Sequence, residues 1–367
     1  MNQNKTTSRE PLFHVVKRPE RSGRQMLLFR LGAVALSILA GGLFILAIGY
    51  NPIEIYGTIL NGAFRSKIAV QSTIKITIPL CISALGATLA FKMKFWNIGG
   101  EGQIIMGGVF ATYFALFHAD WPHLPLMIVC FLAGLIGGGL WGLIPALFKV
   151  KWNTNETLLT LMLNYIALYI ISWLQNGPWR DPTANGFPKI AAFAKNAVLG
   201  KVLGVQAGWI VMLVFTVLVW VYLKFTKQGY EVAVVGESQD TARYAGIHVK
   251  KVILRTMFLS GAIGGVCGML QACGTDATLS TGIAGGVGFT AISVAWLCQL
   301  NPGMILVVSF LFGVLEKGSG VVQSSYGLST DCAAVLQGII LFFILASEFF
   351  VRYAFAGRSS AKGGKKA

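Results

Sequence analysis

The sequence is poor in charge, and acidic residues are especially scarce. Of its 367 residues only 12% are Asp, Glu, Lys or Arg, and just 14 of them are acidic. A typical soluble domain carries about twice that charged fraction, so the composition excludes an ordinary soluble protein. The charges are also unbalanced, because Lys and Arg number 30 and the formal net charge is +16.

The usual signatures of catalysis and metal binding are missing as well. No GxxxxGK[ST] phosphate loop occurs, which excludes ATP hydrolysis by that route. The four histidines lie in predicted loops and tails, and the six cysteines lack the spacing of a metal site. We interpret the cysteines as small apolar packing residues and expect neither enzymatic activity nor a cofactor in this chain.

Long apolar runs dominate what remains. Hydrophobic residues make up 55% of the chain, its mean hydropathy is +0.67, and a run of about 20 apolar residues is enough to cross a bilayer as a helix. The sequence therefore predicts an all-α polytopic membrane protein with about ten transmembrane helices. The predicted spans are 31–50, 73–91, 99–117, 124–148, 157–174, 208–223, 252–271, 285–300, 303–315 and 334–350.

The distribution of basic residues sets the predicted topology. With the N-terminus in the cytoplasm, 22 of the 30 Lys and Arg residues fall on the inner side, as the positive-inside rule requires. An even number of spans then places both termini in the cytoplasm. Topology accounts for the basic charge, so we expect contact with membrane lipid and no nucleic-acid binding.

The chain divides into one membrane domain with two polar tails. The inner loop 224–251 is the longest ordered-looking loop on its side, and its SQDTARYAG portion predicts a short helix that starts after Ser238 and ends before Gly246. A helix that lies on the cytoplasmic face needs a partner to contact. The predicted domains are a disordered cytoplasmic tail at 1–25, the transmembrane domain at 26–352 and a cytoplasmic tail at 353–367.

Glycine is abundant, with 44 residues, and two of its runs lie inside predicted spans. The runs GLIGGGLWG (134–142) and SGAIGGVCGML (260–270) place small residues three or four positions apart. Lipid supplies no hydrophobic drive for helix association, so small residues favour close backbone packing instead. We expect these runs to be helix–helix contacts.

Two similar turns suggest an internal repeat. IGGEGQ (98–103) and AGGVGF (284–289) both open a predicted span after a helix rich in small residues and a polar turn. The topology places the first turn inside and the second outside, which would relate spans one to five and six to ten as an inverted 5+5 repeat. Gly-interrupted segments at matching positions point to the solute route of many transporters.

Six polar residues in or beside the spans are candidates for lining a translocation pathway, because polar groups in a membrane normally face protein or water. In FWNIGGEGQ (95–103) we favour Asn97 and Gln103 as lining groups, and we interpret Glu101 as a first-turn carboxylate stabilised by the helix dipole. The other three are Asn155, Glu156 and Asn164.

For these last three residues the local sequence offers structural roles as well. Either Thr154 or Asn155 can cap the next helix, and Glu156 sits in its first turn. Asn164 lies deeper in the membrane, where it would bond a neighbouring helix or meet a polar solute. We favour the interhelical bond, since such bonds are common in membrane bundles.

Four blocks of the sequence resemble a known family. FWNIGGEGQIIMGG (95–108) resembles the F-N-I-G-x-E-G-Q hallmark of permease subunits of nucleoside-type ABC importers, within the branched-chain amino acid and ribose permease superfamily. One departure is Trp96, where many members run Phe directly into Asn. The other similar blocks are 155–167, 229–270 and 287–313, and the resemblance covers about residues 30–350.

The resemblance implies an ABC importer permease fold in a bacterial inner or plasma membrane, nucleosides as substrates and alternating access as the mechanism. It implies a cytoplasmic ATP-binding subunit that holds the ATP, a homologous second permease and a lipid-anchored substrate-binding protein. The ATP-binding subunit would receive the 229–247 helix. The residues that match the family's coupling motif are Gly229, Tyr230, Gly236, Glu237, Ala242, Arg243, Tyr244, Gly246 and Ile247.

Three alternatives remain open at this stage. A simple-sugar or branched-chain amino acid importer would use the same architecture. An ion-coupled secondary carrier is less favoured, because no helix carries the run of acidic or His residues that ion coupling usually needs. A channel or a non-transporting scaffold is the last alternative.

Overall fold

The structure is a computed structural model and is mostly helical. It describes residues 13–17, 23–184, 186, 188–328, 335–336, 338–339, 342–343, 346 and 353–357. The predicted span 334–350 and both predicted tails therefore lie mostly outside the described residues.

Twelve helices and four short strands are described. The helices are α1 (Gly23–Ala47), α2 (Pro52–Phe64), α3 (Lys67–Lys92), α4 (Gly100–Phe117), α5 (His123–Trp152), α6 (Glu156–Asn176), α7 (Gly208–Phe225), α8 (Lys227–Glu237), α9 (Gln239–Tyr244), α10 (Val249–Leu270), α11 (Val287–Leu297) and α12 (Pro302–Tyr326). The strands are β1 (Phe13–Lys17), β2 (Lys201–Val202), β3 (Val205–Gln206) and β4 (Tyr353–Gly357). A 3-10 turn spans Lys195–Ala197, and a π-helical turn, Gln271–Asp276, extends α10.

Within the described residues, six helices are long and apolar enough to cross a membrane: α3, α5, α6, α7, α10 with its π-helical extension, and α12. A seventh span results if α1 and α2, which bend by 112° at their junction, count as one. The predicted count of ten is not confirmed. α11 has 11 residues, about 16 Å of helix, and α4 opens with the polar sequence GEGQ.

The chain divides into two compact units, Thr58–Leu328 and a unit of Met1–Gly57 with Ser329–Ala367. In the latter, β1 pairs with β4 in an antiparallel register from Phe13 opposite Gly357 to Lys17 opposite Tyr353. β1 lies within the segment 1–25 that the sequence assigns to the N-terminal tail.

The Thr58–Leu328 unit is built around α10, which packs against α3, α4 and α5. The two predicted glycine runs meet here, because a Cβ atom on Gly265 would overlap the backbone of both Gly134 and Gly138. A Cβ on Gly107 of α4 would likewise overlap Gly265. The prediction that these glycines serve close helix packing is confirmed.

Candidate functional site

The turn between α3 and α4 carries three of the predicted pathway residues. α3 ends at Lys92, and Lys94 has a left-handed backbone with a φ of 56°. The Asn97 Oδ1 atom accepts a hydrogen bond from the backbone N–H of Gly99 at 3.0 Å. This bond satisfies a backbone donor beside the start of α4, so the Asn97 side chain fixes where that helix begins.

Asn164 of α6 fastens the same turn from the neighbouring helix. Its Oδ1 accepts from the Gly102 N–H at 2.8 Å, and its Nδ2 donates to the Ile98 carbonyl oxygen at 2.9 Å. One turn earlier on α6, the Thr160 hydroxyl accepts from the Ile98 N–H at 3.2 Å. The interpretation of Asn164 as an interhelical hydrogen-bonding residue agrees with these contacts.

Asn97 and Gln103 form a reciprocal amide pair in the protein interior. Asn97 Nδ2 lies 3.3 Å from Gln103 Oε1, and Gln103 Nε2 lies 3.3 Å from Asn97 Oδ1. Asn97 Nδ2 also reaches the Ser260 hydroxyl of α10 at 3.4 Å, and that hydroxyl donates to the Gly86 carbonyl at 2.8 Å. The pair thus connects the turn to α10 and α3.

A small cavity adjoins this amide pair. It offers about 10 Å³ for the centre of a water-sized molecule, which is room for at most one water. No molecule larger than water fits there. The lining residues are Ser83, Ala87, Asn97, Gly100, Gln103, Ser260, Gly264, Gly288 and Ile292.

Glu101 connects the two glycine turns that the sequence suggested as a repeat. It is buried in the first turn of α4, and its Oε1 accepts from the Gly288 N–H at 2.7 Å. Gly288 is in the first turn of α11, and its Cα lies against Gly100. One carboxylate therefore serves the N-termini of two helices, where negative charge is favourable.

The direct contact corrects the predicted placement of these turns on opposite membrane surfaces, which would be about 30 Å apart. The first turn of α11 lies in the protein interior, where Gly288 and Ser83 of α3 line the same small cavity. It ends near the Lys92 end of α3, where Trp296 lies 5.4 Å from Phe91 between ring centroids. Trp96, the departure from the family hallmark, stacks on Trp296 at 5.6 Å.

Asn155 and Glu156 do not join this cluster. The exposed Asn155 caps α6, accepting from the N–H groups of Thr157 and Leu158 at 3.0 and 3.2 Å. Glu156 pairs with Lys149 of α5 at 2.8 Å. Both side chains hold the α5–α6 connection.

The predicted short helix in the 224–251 loop is confirmed as α9. The Ser238 hydroxyl accepts from the Thr241 N–H at 3.2 Å and caps the helix. Gly246 follows the helix with a φ of +75°, a conformation that favours glycine. The helix has six residues, too few to be stable without packing.

Ala242 anchors α9 to the interior. Ala242 is fully buried in a cluster that also contains Met93 and Phe95 of the α3–α4 turn. On α8, a Cβ on Gly236 would overlap the Lys92 carbonyl. The loop segment 227–247 and the turn that carries Asn97 therefore share one packed core.

The nine residues that match the coupling motif differ in their exposure. Five are exposed, with Tyr230 at 66% and Tyr244 at 93% the largest apolar groups on this surface. The buried residues are Gly229, Gly236 and Ala242, and Ile247 is half-buried; the exposed residues are Tyr230, Glu237, Arg243, Tyr244 and Gly246.

Sequence reasoning missed three polar residues of the cluster: Ser83, Thr160 and Ser260. A signal existed for two of them. Thr160 lies one helical turn before Asn164 and shares its face. Ser260 is the first residue of the glycine run 260–270, for which the sequence predicts only helix packing. No local signal marks Ser83, since a lone serine in an apolar helix is common.

Six long apolar helices, with buried polar side chains at the starts of α4 and α11, define a multi-pass membrane protein. Residues 69–345 match the family model described as the branched-chain amino acid transport system / permease component. The chain belongs to this family, and the resemblance drawn from the sequence is confirmed.

Curated relatives cover most of the chain. The glucose ABC transporter permease protein TsgB13 of Haloferax volcanii is 30% identical, over 88% of this chain and 89% of its own. The guanosine ABC transporter permease protein NupP of Bacillus subtilis is 30% identical, over 92% and 97%. The nucleoside ABC transporter permease protein NupB of Lactococcus lactis subsp. cremoris is 29% identical, over 91% and 96%.

Among solved structures, PsaBC from Streptococcus pneumoniae in complex with Fab aligns with a TM-score of 0.46 at 14% identity. The alignment covers 80% of this chain and 95% of that chain.

Proposed function

We propose that this chain is the permease subunit of an ABC importer for nucleosides and forms half of the translocation pathway. The observation that carries the proposal is the shared core beneath the 227–247 segment and the α3–α4 turn, since it couples an exposed surface to the buried amide cluster. Family membership and two relatives named for guanosine or nucleoside transport support the substrate class.

The mechanism follows from the closed cavity. ATP would close a separate pair of ATP-binding subunits, and the 229–247 surface would move with them. Because Ala242, Met93 and Phe95 pack together, that movement would shift the turn at Asn97. Opening the route then requires α4 and α11 to separate at the Glu101–Gly288 hydrogen bond, a change between two packed arrangements.

The expected partners are the ATP-binding subunit, a homologous second permease, a lipid-anchored substrate-binding protein and membrane lipid. The expected location is the inner or plasma membrane of a bacterium, with both termini in the cytoplasm. Of the candidate pathway residues we retain Asn97, Gln103, Glu101 and Asn164. Asn155 and Glu156 have structural partners away from the cavity.

Ten spans remain our proposal for the complete chain. The six long helices would be joined by the bent α1–α2 pair, α4, α11 and the segment 334–350. An inverted repeat would pair α4 with α11, and the meeting of their first turns is compatible with two broken helices that enter from opposite sides.

ATP-dependent uptake tests the function directly. The chain would be co-reconstituted in liposomes with its second permease, ATP-binding subunit and binding protein, and uptake of labelled guanosine, adenosine, uridine, ribose and glucose would be compared. We expect nucleosides to be transported only with ATP. Uptake of sugar alone would overturn the nucleoside assignment, and uptake driven by an ion gradient without ATP would indicate a secondary carrier.

A sugar importer is the second candidate, because one relative of equal identity is a glucose permease. The same assay separates the two, since ribose and glucose are included. A branched-chain amino acid would be tested by adding labelled leucine.

A further inference from the structure

One carboxylate lies deep within a membrane-spanning helix and takes no part in the cluster described above. Glu316 is in α12, a candidate span of 25 residues. At 1.5 Å per residue it lies about 21 Å from the Pro302 end and about 15 Å from the Tyr326 end. Wherever a hydrocarbon core of about 30 Å falls along this helix, Glu316 is roughly 9 Å or more inside it.

Glu316 lies on the face of α12 that packs inward. Ser309, Phe312 and Glu316 follow the spacing i, i+3 and i+7 and therefore share one side of the helix. Ser309 and Phe312 are buried, and Gly313 beside them packs on Thr77 of α3. Glu316 continues this side by one turn, yet its side chain is exposed.

A second exposed polar residue follows Glu316 on the same side of α12. Gln323, two helical turns further on the same side, is also exposed. The outward side of the preceding half of α12 is apolar by contrast, with Val307 and Leu311 53% and 55% exposed. Lipid therefore suits the outward side of the helix, and an aqueous opening suits the side that carries Glu316.

The described residues place no neutralising partner beside Glu316. In the part of the chain that the structure describes, no ion pair or hydrogen bond is found for its carboxylate. Lys317 is the adjacent residue, about 100° around the helix, and points along a different direction. An uncompensated carboxylate facing hydrocarbon is costly, so such residues normally face water-filled cavities or solute pathways.

We propose that Glu316 lines the solute route and accepts hydrogen bonds from the hydroxyl groups of a polyhydroxylated solute, such as the ribose of a nucleoside. The inference rests on the proposed function. A carboxylate has two oxygens and only accepts hydrogen bonds, so it matches a pair of neighbouring hydroxyl donors. Such bonds are stronger than those to a neutral acceptor.

Water access to the position is tested first, because it does not depend on transport. Glu316→Cys and the matched control Leu311→Cys would be made in a variant whose native cysteines are replaced. A hydrophilic, membrane-impermeant thiol reagent should label the first variant and leave the second unlabelled. If Glu316→Cys resists labelling in the assembled complex, the position is not in an aqueous route and the inference is overturned.

Solute recognition is tested with guanosine and 2′,3′-dideoxyguanosine, which lacks the two hydroxyls. Glu316→Ala should raise the KM for guanosine about tenfold or more, the worth of one hydrogen bond to a charged group, while the KM for the dideoxy analogue changes little. Glu316→Gln, which keeps one acceptor oxygen, should be intermediate, and Leu311→Ala should match the wild type.

Two outcomes would contradict the inference. An equal rise in KM for guanosine and for the dideoxy analogue would show that Glu316 does not bind the hydroxyl groups. Loss of the second permease from the purified Glu316→Gln complex, with hydroxyl preference unchanged, would instead identify an ion pair between the two permeases.

Failure of the wild-type complex to import any nucleoside would count against the proposed function, and the labelling result would still decide whether Glu316 lies in an aqueous route.

Discussion

The hydrogen bond of Glu101 and its negative charge can be separated by substitution. Its Oε1 accepts the Gly288 N–H, and a glutamine would still present an acceptor oxygen at that place. We therefore expect Glu101→Gln to keep at least about half of the uptake rate and Glu101→Ala to lose most of it, because a buried N–H without a partner costs about 1–3 kcal/mol. Uptake per inserted complex is the measurement. If Glu101→Gln is as inactive as Glu101→Ala, the charge itself is required.

Residues whose roles follow from neighbours in the sequence could be predicted. The sequence predicts a cap at Thr154 or Asn155 and favours an interhelical hydrogen bond for Asn164, because capping and intramembrane amides follow local rules. The partner of Glu101 could not be anticipated. Gly288 is 187 positions away, and only the packing of α4 on α11 brings the two together.

At the scale of helices, the contact between α5 and α10 depends on glycine. A Cβ on Gly265 would overlap backbone atoms of Gly134 and Gly138, which cannot move aside as a flexible side chain can. We expect Gly265→Ala to destabilise the protein by about 1–3 kcal/mol or more, measured as a lower thermal unfolding temperature in detergent. Gly57→Ala is the control, since a Cβ there contacts nothing within 4 Å. Equal unfolding temperatures for the two variants would refute the packing argument.

The surface of α9 makes a second prediction at this scale. Tyr244 is 93% exposed, so its removal should leave the fold intact, yet exposed tyrosines are frequent binding hot spots. Tyr244→Ala should weaken binding of the ATP-binding subunit about tenfold or more, measured with purified subunits, at an unchanged unfolding temperature. Tyr169→Ala on α6, where the side chain is 71% exposed, should bind normally. Normal binding by Tyr244→Ala would remove α9 from the proposed interface.

Helix lengths were harder to predict than helix positions. α9 could be located from its cap and terminal glycine, whereas the predicted span 285–300 proved to be the shorter α11. Gln299 and Leu300 adopt left-handed backbones with φ of 51° and 57°, and this turn ends the helix. The polar Gln299 and Asn301 and the proline at 302 mark the turn in the sequence, but a hydropathy window averages over them.

For the molecule as a whole, the fold class followed from composition, because a chain so apolar and so poor in charge must be membrane-embedded. The number of spans did not follow, since a segment such as α4 is apolar along most of its length and still begins at a buried polar turn. Hydropathy measures what lipid tolerates and carries no information on where inside the protein a helix starts.

Topology at this scale can be tested without a structure of the complex. An even number of spans predicts that fluorescent-protein fusions at the N-terminus and at the C-terminus are both fluorescent, because the reporter folds in the cytoplasm. Alkaline phosphatase fused in the 177–206 loop should be active, since that loop is predicted to lie outside. Opposite results at the two termini would require an odd number of spans.

The small cavity beside Asn97 and Gln103 also has an electrical consequence. A space of about 10 Å³ holds at most one water, and one water cannot form the continuous file along which protons or ions would pass. Around this cluster the described side chains leave no continuous file of water, so a proton or an ion has no hydrated path through the cluster.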